Sequence, residues 1–193
     1  NLKSNILSVF KTLAEAESNV HGVSIDSVHF HEIGSIDSLV DVIGVCAGIN
    51  YLNPERIFCS PPPLGSGFVE TSHGLLPVPA PAVLELAKLN NLRISNTDEL
   101  LRTELSTPTG IALIAVLADS FVQPTSFSVK NIGIGIGSKK LDRPNLLRTC
   151  LIEEFSDKSY NSNPQLQNIV VLEAWVDDSS AEDLALLIEK LRI

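Results

Sequence analysis

The sequence predicts an α/β or α+β fold: a mixed sheet with helices, followed by the start of a truncated second α+β domain. Three observations in the 193 residues carry that expectation. Apolar residues recur at helical spacing over positions 2–17, and isoleucine alternates with glycine at strand spacing over 132–137. A polar stretch at 156–167, rich in Asn, Ser and Pro, then separates most of the chain from a last strand–helix pair. The expected organisation is therefore a main domain over 1–155, a linker over 156–167 and the beginning of a C-terminal domain over 168–193. That final pair cannot bury its own apolar face, hence the expectation of a domain cut short.

Leu2, Ile6, Val9, Phe10 and Leu13 place one apolar stripe on a first helix, closed by His21-Gly22. His21 there reads as a solvated C-terminal residue. From Val28 to Asp41 a strand hands over to a helix, with Gly34 and Ser35 as turn and N-cap. This second helix is expected from about Ser35 to Tyr51. Leu39, Val40, Ile43, Val45, Cys46 and Ile49 make it apolar over more than one face, so it should be buried, and Asp37 and Asp41 should need partners. Asn53-Pro54 breaks it, and Arg56–Cys59 reads as a short strand. Pro61, Pro62 and Pro63 fix an extended entry into a loop where Gly65 and Gly67 permit close backbone approach. A third helix follows Pro77–Pro81 and runs through Leu89. Leu92–Ile94 and Glu99–Leu105 (carrying Glu104) are weak strands. Thr107 as N-cap and Pro108 at the first position start a strongly apolar helix over Ile111–Leu117. Residues 126–136 and Leu146–Phe155 are strands, as is Ile169–Val176, after which Asp177–Ser180 caps a helix over Ala181–Leu191.

Composition narrows the function. A formal charge of -9 argues against a nucleic-acid partner bound through a general basic surface. No run of eighteen apolar residues and no leader pattern point to a membrane. Cys46, Cys59 and Cys150 are odd in number and lack C-x-x-C spacing, which suits buried core thiols in a reducing, cytoplasmic setting. The absence of methionine, with Asn at the first position, suggests a fragment or processed piece.

The densest chemistry lies between His29 and Asp41. In an extended segment the imidazoles of His29 and His31 leave one face, and on a helix Asp37 and Asp41 stack on one face. With Glu32 between them, this set suits a borderline divalent metal such as nickel, zinc or manganese, or a general acid/base pair. Hydrogen-bonded structural histidines and solvated aspartates are the plain alternative. His73, between Ser72 and Gly74, is placed for a loop to present it. The start of the Thr107 helix, with Thr109, offers N–H groups to a phosphate or carboxylate, although an ordinary cap is the simpler reading, since most helix N-termini bind nothing. Lys130, Lys139, Lys140, Arg143 and Arg148 put five of fourteen basic residues within nineteen positions beside a glycine face. An anionic ligand and a solvated charged turn both account for that cluster.

Taken together these landmarks resemble a family. His29-Phe30-His31-Glu32-Ile33-Gly34 with Asp37 and Asp41 is similar to its HFHE-x-G-x-x-D-x-x-x-D signature. Pro63-Leu64-Gly65-Ser66-Gly67 through His73-Gly74 to Pro77-Val78-Pro79-Ala80-Pro81 resembles a second block. Thr107-Pro108-Thr109-Gly110 and Arg143-Pro144-Asn145-Leu146-Leu147-Arg148 resemble a third and a fourth, and Val171-Leu172-Glu173 with Asp177-Asp178 the entry to a C-terminal domain. The family is that of the LarC nickel insertion proteins, the nickel-pincer cofactor cyclometallases.

The resemblance implies insertion of nickel into pyridinium-3,5-bisthiocarboxylic acid mononucleotide, with CTP hydrolysis, to give the cofactor of lactate racemase. It implies His29, His31 and His73 as metal residues, and Glu32, Asp37 and Asp41 as catalytic carboxylates. Thr107, Thr109, Lys139, Lys140, Arg143 and Arg148 become substrate-anion contacts. CTP with magnesium or manganese is expected in the C-terminal domain, and homo-oligomerisation is left open. The sequence departs from the family pattern in that the acidic, glycine-rich S-G-D-M opening is absent, the C-terminal domain is represented only by residues 168–193, and Ser179 follows the aspartate pair where the family usually has methionine. The piece alone need not be active. A zinc or manganese hydrolase using the same His/Asp set, or a nickel-storage module, are the rival readings.

Overall fold

The structure, a computed structural model, describes residues 2–28, 36–96 and 102–155. The chain divides into two units, Asn1–Glu154 and Phe155–Ile193, and the helices and strands of the described residues all belong to the first. The expected linker and the start of the C-terminal domain lie outside the described residues.

Helix α1 spans Leu2–His21. Its Val9, Leu13 and Ala16 are buried on one stripe, with Leu2, Ile6 and Phe10 packed beside them. The helix runs one turn further than the apolar pattern suggests, and stops where Gly22 takes φ +65. That conformation lets the Val23 N–H reach back to the Ser18 carbonyl at 3.1 Å, a C-terminal cap few other residues would allow. Helix α1 packs against α2 (Ile36–Leu52), α3 (Pro81–Leu89) and α4 (Pro108–Leu117). Val42 and Cys46 of α2, Val83 and Leu86 of α3, Ile111 and Ala112 of α4, and Leu64 from a loop complete the core. Full burial of each large side chain contributes about 1.5–3 kcal/mol.

Two helix ends show how local chemistry fixed the boundaries. The Thr107 hydroxyl accepts from the Gly110 N–H at 3.2 Å, and Pro108 occupies the first helical position, as the sequence predicts. Thr107→Ala should therefore lower stability by about 1 kcal/mol in chemical denaturation. At the end of α3, Asn91 adopts φ +49 while the Leu92 N–H bonds to the Ala87 carbonyl at 2.9 Å. Beside it, Glu85 accepts from Lys88 Nζ and from Asn19 Nδ2 of α1. The Lys88 hydrogen bond foremost, and then that of Asn19, hold the Glu85 carboxyl below its usual range.

Helix α2 differs from expectation. Only Val42 and Cys46 are buried, whereas Ile36, Leu39, Val40, Ile43 and Val45 are exposed. One face is covered by α1 and α4, and a sequence apolar all round does not say how many faces find a neighbour. Asp37 and Asp41 are exposed too, so no desolvation cost demands partners for them. Cys150 is likewise exposed rather than core, Cys59 is half-buried, and all three thiols are free.

The helix–strand mixture is as expected, and its strands pair locally. β1 (Phe68–Thr71) and β2 (Gly74–Pro77) form a tight antiparallel hairpin, in a stretch that the sequence presents as a loop. β3 (Phe127–Ile136) and β4 (Leu146–Glu154) form a second, with a register shift between Val129 and Asn131. Ion pairs Arg56–Glu154 and Lys130–Glu153 (2.5 Å) tie down its open end. Among the described residues, the strands expected at 56–59 and 99–105 are reduced to single bridges, and that expected at 92–94 to one bridge just beyond it at Ser95. These are Phe58 with Ser120 and Pro63 with Ser95, both parallel, and Gly65 with Glu104, antiparallel. The proline entry is thus stitched between two segments, with the Ser106 hydroxyl donating to the Pro63 carbonyl at 2.5 Å.

Candidate functional site

The β1–β2 turn presents His73. Its backbone N–H donates to Thr71 Oγ1 at 3.1 Å, and the same hydroxyl donates to the Gly74 carbonyl at 2.9 Å, so the turn is held from both sides. The His73 ring lies against that of His21, the last residue of α1, with centroids 5.1 Å apart and planes at 50°. Glu17, one helical turn back, places Oε2 3.3 Å from His21 Nε2. His21 is therefore more than the solvated helix end that the sequence suggests. The Glu17–His21 spacing of four is a visible hint of a pair, but contact with a residue fifty-two positions on is not.

His29, His31 and Glu32 lie outside the described residues. Asp37 and Asp41 occupy the first turns of α2, four apart and exposed. Among the described residues no group of three or more His, Cys, Asp or Glu side chains is close enough to share a metal ion. Burial pushes the Cys46 and Cys59 thiols up, which disfavours the thiolate a metal would need.

The basic cluster resolves into a loop and a strand. Lys139, Lys140 and Arg143 line an open concavity of about 490 Å³ formed by the β3–β4 connection, together with Asp142 and Asn145. Asn145 shapes it: its Nδ2 donates to the Lys139 carbonyl at 3.0 Å, and its own carbonyl accepts from the Gly137 N–H at 2.9 Å. Arg148 sits further along β4, opposite Ile134, and does not line the hollow. Lys130 is engaged by Glu153, whereas Lys139, Lys140, Arg143 and Arg148 form no ion pair among the described residues. Such a cradle can receive a phosphate or carboxylate. At the other candidate anion contact, the Thr107 hydroxyl is already used as a cap, and Thr109 lies half-buried in the first turn of α4.

Comparison with known proteins decides the family. The family model described as "Nickel insertion protein" matches residues 1–192. The chain belongs to the nickel insertion protein family. A relative from Geotalea daltonii, carrying a nickel-insertion name, is 43% identical over 191 residues, which cover 98% of this chain and 46% of that protein. A relative from Clostridium kluyveri is 41% identical over 190 residues, covering 98% and 45%. It is named pyridinium-3,5-bisthiocarboxylic acid mononucleotide nickel insertion protein. The chain thus spans less than half the length of these curated relatives. No solved structure matches it. Among the described residues no helix of this nickel insertion family member is long and apolar enough to cross a membrane.

Proposed function

We propose that this chain is part of a cytoplasmic enzyme that inserts Ni(II) into pyridinium-3,5-bisthiocarboxylic acid mononucleotide. The reaction is CTP-dependent and builds the nickel-pincer cofactor for lactate racemase. The observation that carries the proposal is the family match along residues 1–192, with a relative bearing that substrate's name. Cyclometallation replaces a ring C–H by a carbon–nickel bond, so a base must take up the proton. Glu32, Asp37 and Asp41 are the carboxylates assigned to that work, and His29, His31 and His73 the residues that bring nickel. The substrate carries a phosphate and two thiocarboxylates. Lys139, Lys140 and Arg143 around their hollow, Arg148 on β4, and Thr107 and Thr109 at the α4 start are assigned to those anions. The described residues offer no cluster of three carboxylate or imidazole ligands for the magnesium or manganese that accompanies CTP.

The test is reconstitution of the full-length protein with nickel, CTP and the thiocarboxylate mononucleotide, followed by mass spectrometry of the small-molecule product. A nickel-containing product formed only when all three are present is expected. His29→Ala/His31→Ala should abolish it, and Lys139→Glu/Lys140→Glu should raise the substrate KM roughly tenfold or more, since two favourable contacts become repulsive. Nickel uptake with no product, or phosphoester turnover without nickel, would overturn the proposal.

A further inference from the structure

The hollow at the β3–β4 connection holds one group that an anion alone leaves unused. Lys139, Lys140 and Arg143 line it, but so does Asp142, which lies between Lys140 and Arg143 in the chain. An acid set among bases is ordinarily neutralised by them. Asp142 instead forms no ion pair and no side-chain hydrogen bond among the described residues, and it is exposed. The connection is braced in the shape that keeps these side chains around one space. The Gly137 N–H donates to the Asn145 carbonyl at 2.9 Å, and Asn145 Nδ2 donates to the Lys139 carbonyl at 3.0 Å. A Cβ on Gly137 would stand 2.5 Å from Asn145 Nδ2, so the loop has little slack there. Such bracing lowers the ordering cost of binding.

Charge and size say what the acid is for. Three cations less one carboxylate leave two positive charges in the hollow. That matches the charge of about −1.5 to −2 on a phosphate monoester near neutral pH. The volume is about 490 Å³, far more than a phosphate fills and within the roughly 300–1,000 Å³ of small-molecule sites. The remaining space suits the sugar that a mononucleotide phosphate brings with it. A ribose presents hydroxyl donors a few bonds from its phosphate, and a carboxylate without a partner is an acceptor in want of donors. Carboxylates take ribose hydroxyls at other nucleotide sites, next to the groups that hold the phosphate.

We infer that Asp142 is the specificity-determining residue of this hollow, accepting hydrogen bonds from the ribose hydroxyls of a mononucleotide whose phosphate lies on Lys139, Lys140 and Arg143. The inference rests on the proposed assignment of those cations to substrate anions, and adds which part of the substrate meets which side chain.

The experiment is calorimetric titration of the full-length protein, without CTP, with two probes. One is nicotinamide mononucleotide, a pyridinium ring on ribose 5-phosphate, and the other is inorganic phosphate. Wild type should bind the mononucleotide more tightly than phosphate, and Lys139→Glu/Lys140→Glu should weaken both roughly tenfold or more. Asp142→Ala should weaken the mononucleotide roughly tenfold, as expected for a lost hydrogen bond to a charged group. The same variant should tighten inorganic phosphate by up to about fivefold, because a neighbouring negative charge is gone. Opposite signs for the two probes separate a ribose acceptor from an acid that only repels anions. Asp142→Asn keeps one acceptor oxygen and should lose less mononucleotide affinity than Asp142→Ala, and it decides the matter should the alanine variant fail to fold. Mononucleotide binding that is unchanged or tightened without the Asp142 carboxylate overturns the inference. So does a wild type that binds neither probe, or one whose mononucleotide binding ignores Lys139→Glu/Lys140→Glu. Failure of the proposed function reads differently. The expected binding pattern with no nickel-containing product on reconstitution defeats that function only. Product formed by Asp142→Ala at the wild-type KM defeats the inference and leaves the function standing.

Discussion

Replacing Gly65 with alanine should cost this domain about 3 kcal/mol or more, although the change adds one methyl group. Gly65 takes φ +87, where an L-residue is strained by about 1–2 kcal/mol. The added Cβ would also stand 2.1 Å from the Thr103 carbonyl oxygen and 3.0 Å from the Leu105 backbone nitrogen. Both obstacles are backbone, so relief requires parting the bridge between Gly65 and Glu104 and the Ser66–Thr103 hydrogen bond beside it. Overpacking of this kind typically adds about 1–3 kcal/mol. A drop in Tm of roughly 6–15 °C is expected for a domain of this size. Gly44→Ala is the natural comparison, because that glycine lies inside α2 with nothing within 4 Å of its added Cβ. It should stabilise by about 0.5–1 kcal/mol through helix propensity. Equal melting temperatures for the two variants would refute the packing assigned to the 62–67 segment.

Leu13→Ala should have an effect of similar size by the opposite route, emptying space instead of overfilling it. Leu13 is 1% exposed on the one helix that touches α2, α3 and α4 alike. Truncation removes its transfer free energy and leaves a cavity that three partner helices cannot all close, for about 2–5 kcal/mol. Leu7 lies on the same helix but is 57% exposed, and Leu7→Ala should stay within about 0.5 kcal/mol of wild type. Denaturation midpoints of the two variants, with unchanged slopes, provide the measurement. A small loss at Leu13 would mean that α1 is not the centre of the core.

Much of the helical framework is legible in the sequence. Leu2, Val9 and Leu13 announce α1, and Thr107-Pro108 the start of α4, because caps and stripes depend on residues three or four apart. Strand β3 follows from the alternation of isoleucine and glycine in the same way. The hairpin that carries His73 escapes such a reading, since Phe68–Pro77 is short and follows directly on the proline- and glycine-rich stretch 61–67. Gly65 and Gly67 do mark places of close approach, but what approaches is the backbone of residues 102–105. The expected burial of Asp37 and Asp41 does not occur, because an apolar helix is not obliged to have neighbours on every side.

The order of residues by itself determined the span of α3 and the start of α4, which residues face the core from α1, and that basic side chains crowd the β3–β4 turn. These features are written in hydrogen bonds and side-chain contacts spanning a few positions. The tertiary structure alone decided that His21 meets His73, that α2 keeps an uncovered apolar face, and that Arg148 stands apart from the hollow that Lys139, Lys140 and Arg143 share. Each depends on which surfaces the packed helices and hairpins bring together, and contacts between distant segments leave no periodicity along the chain to read.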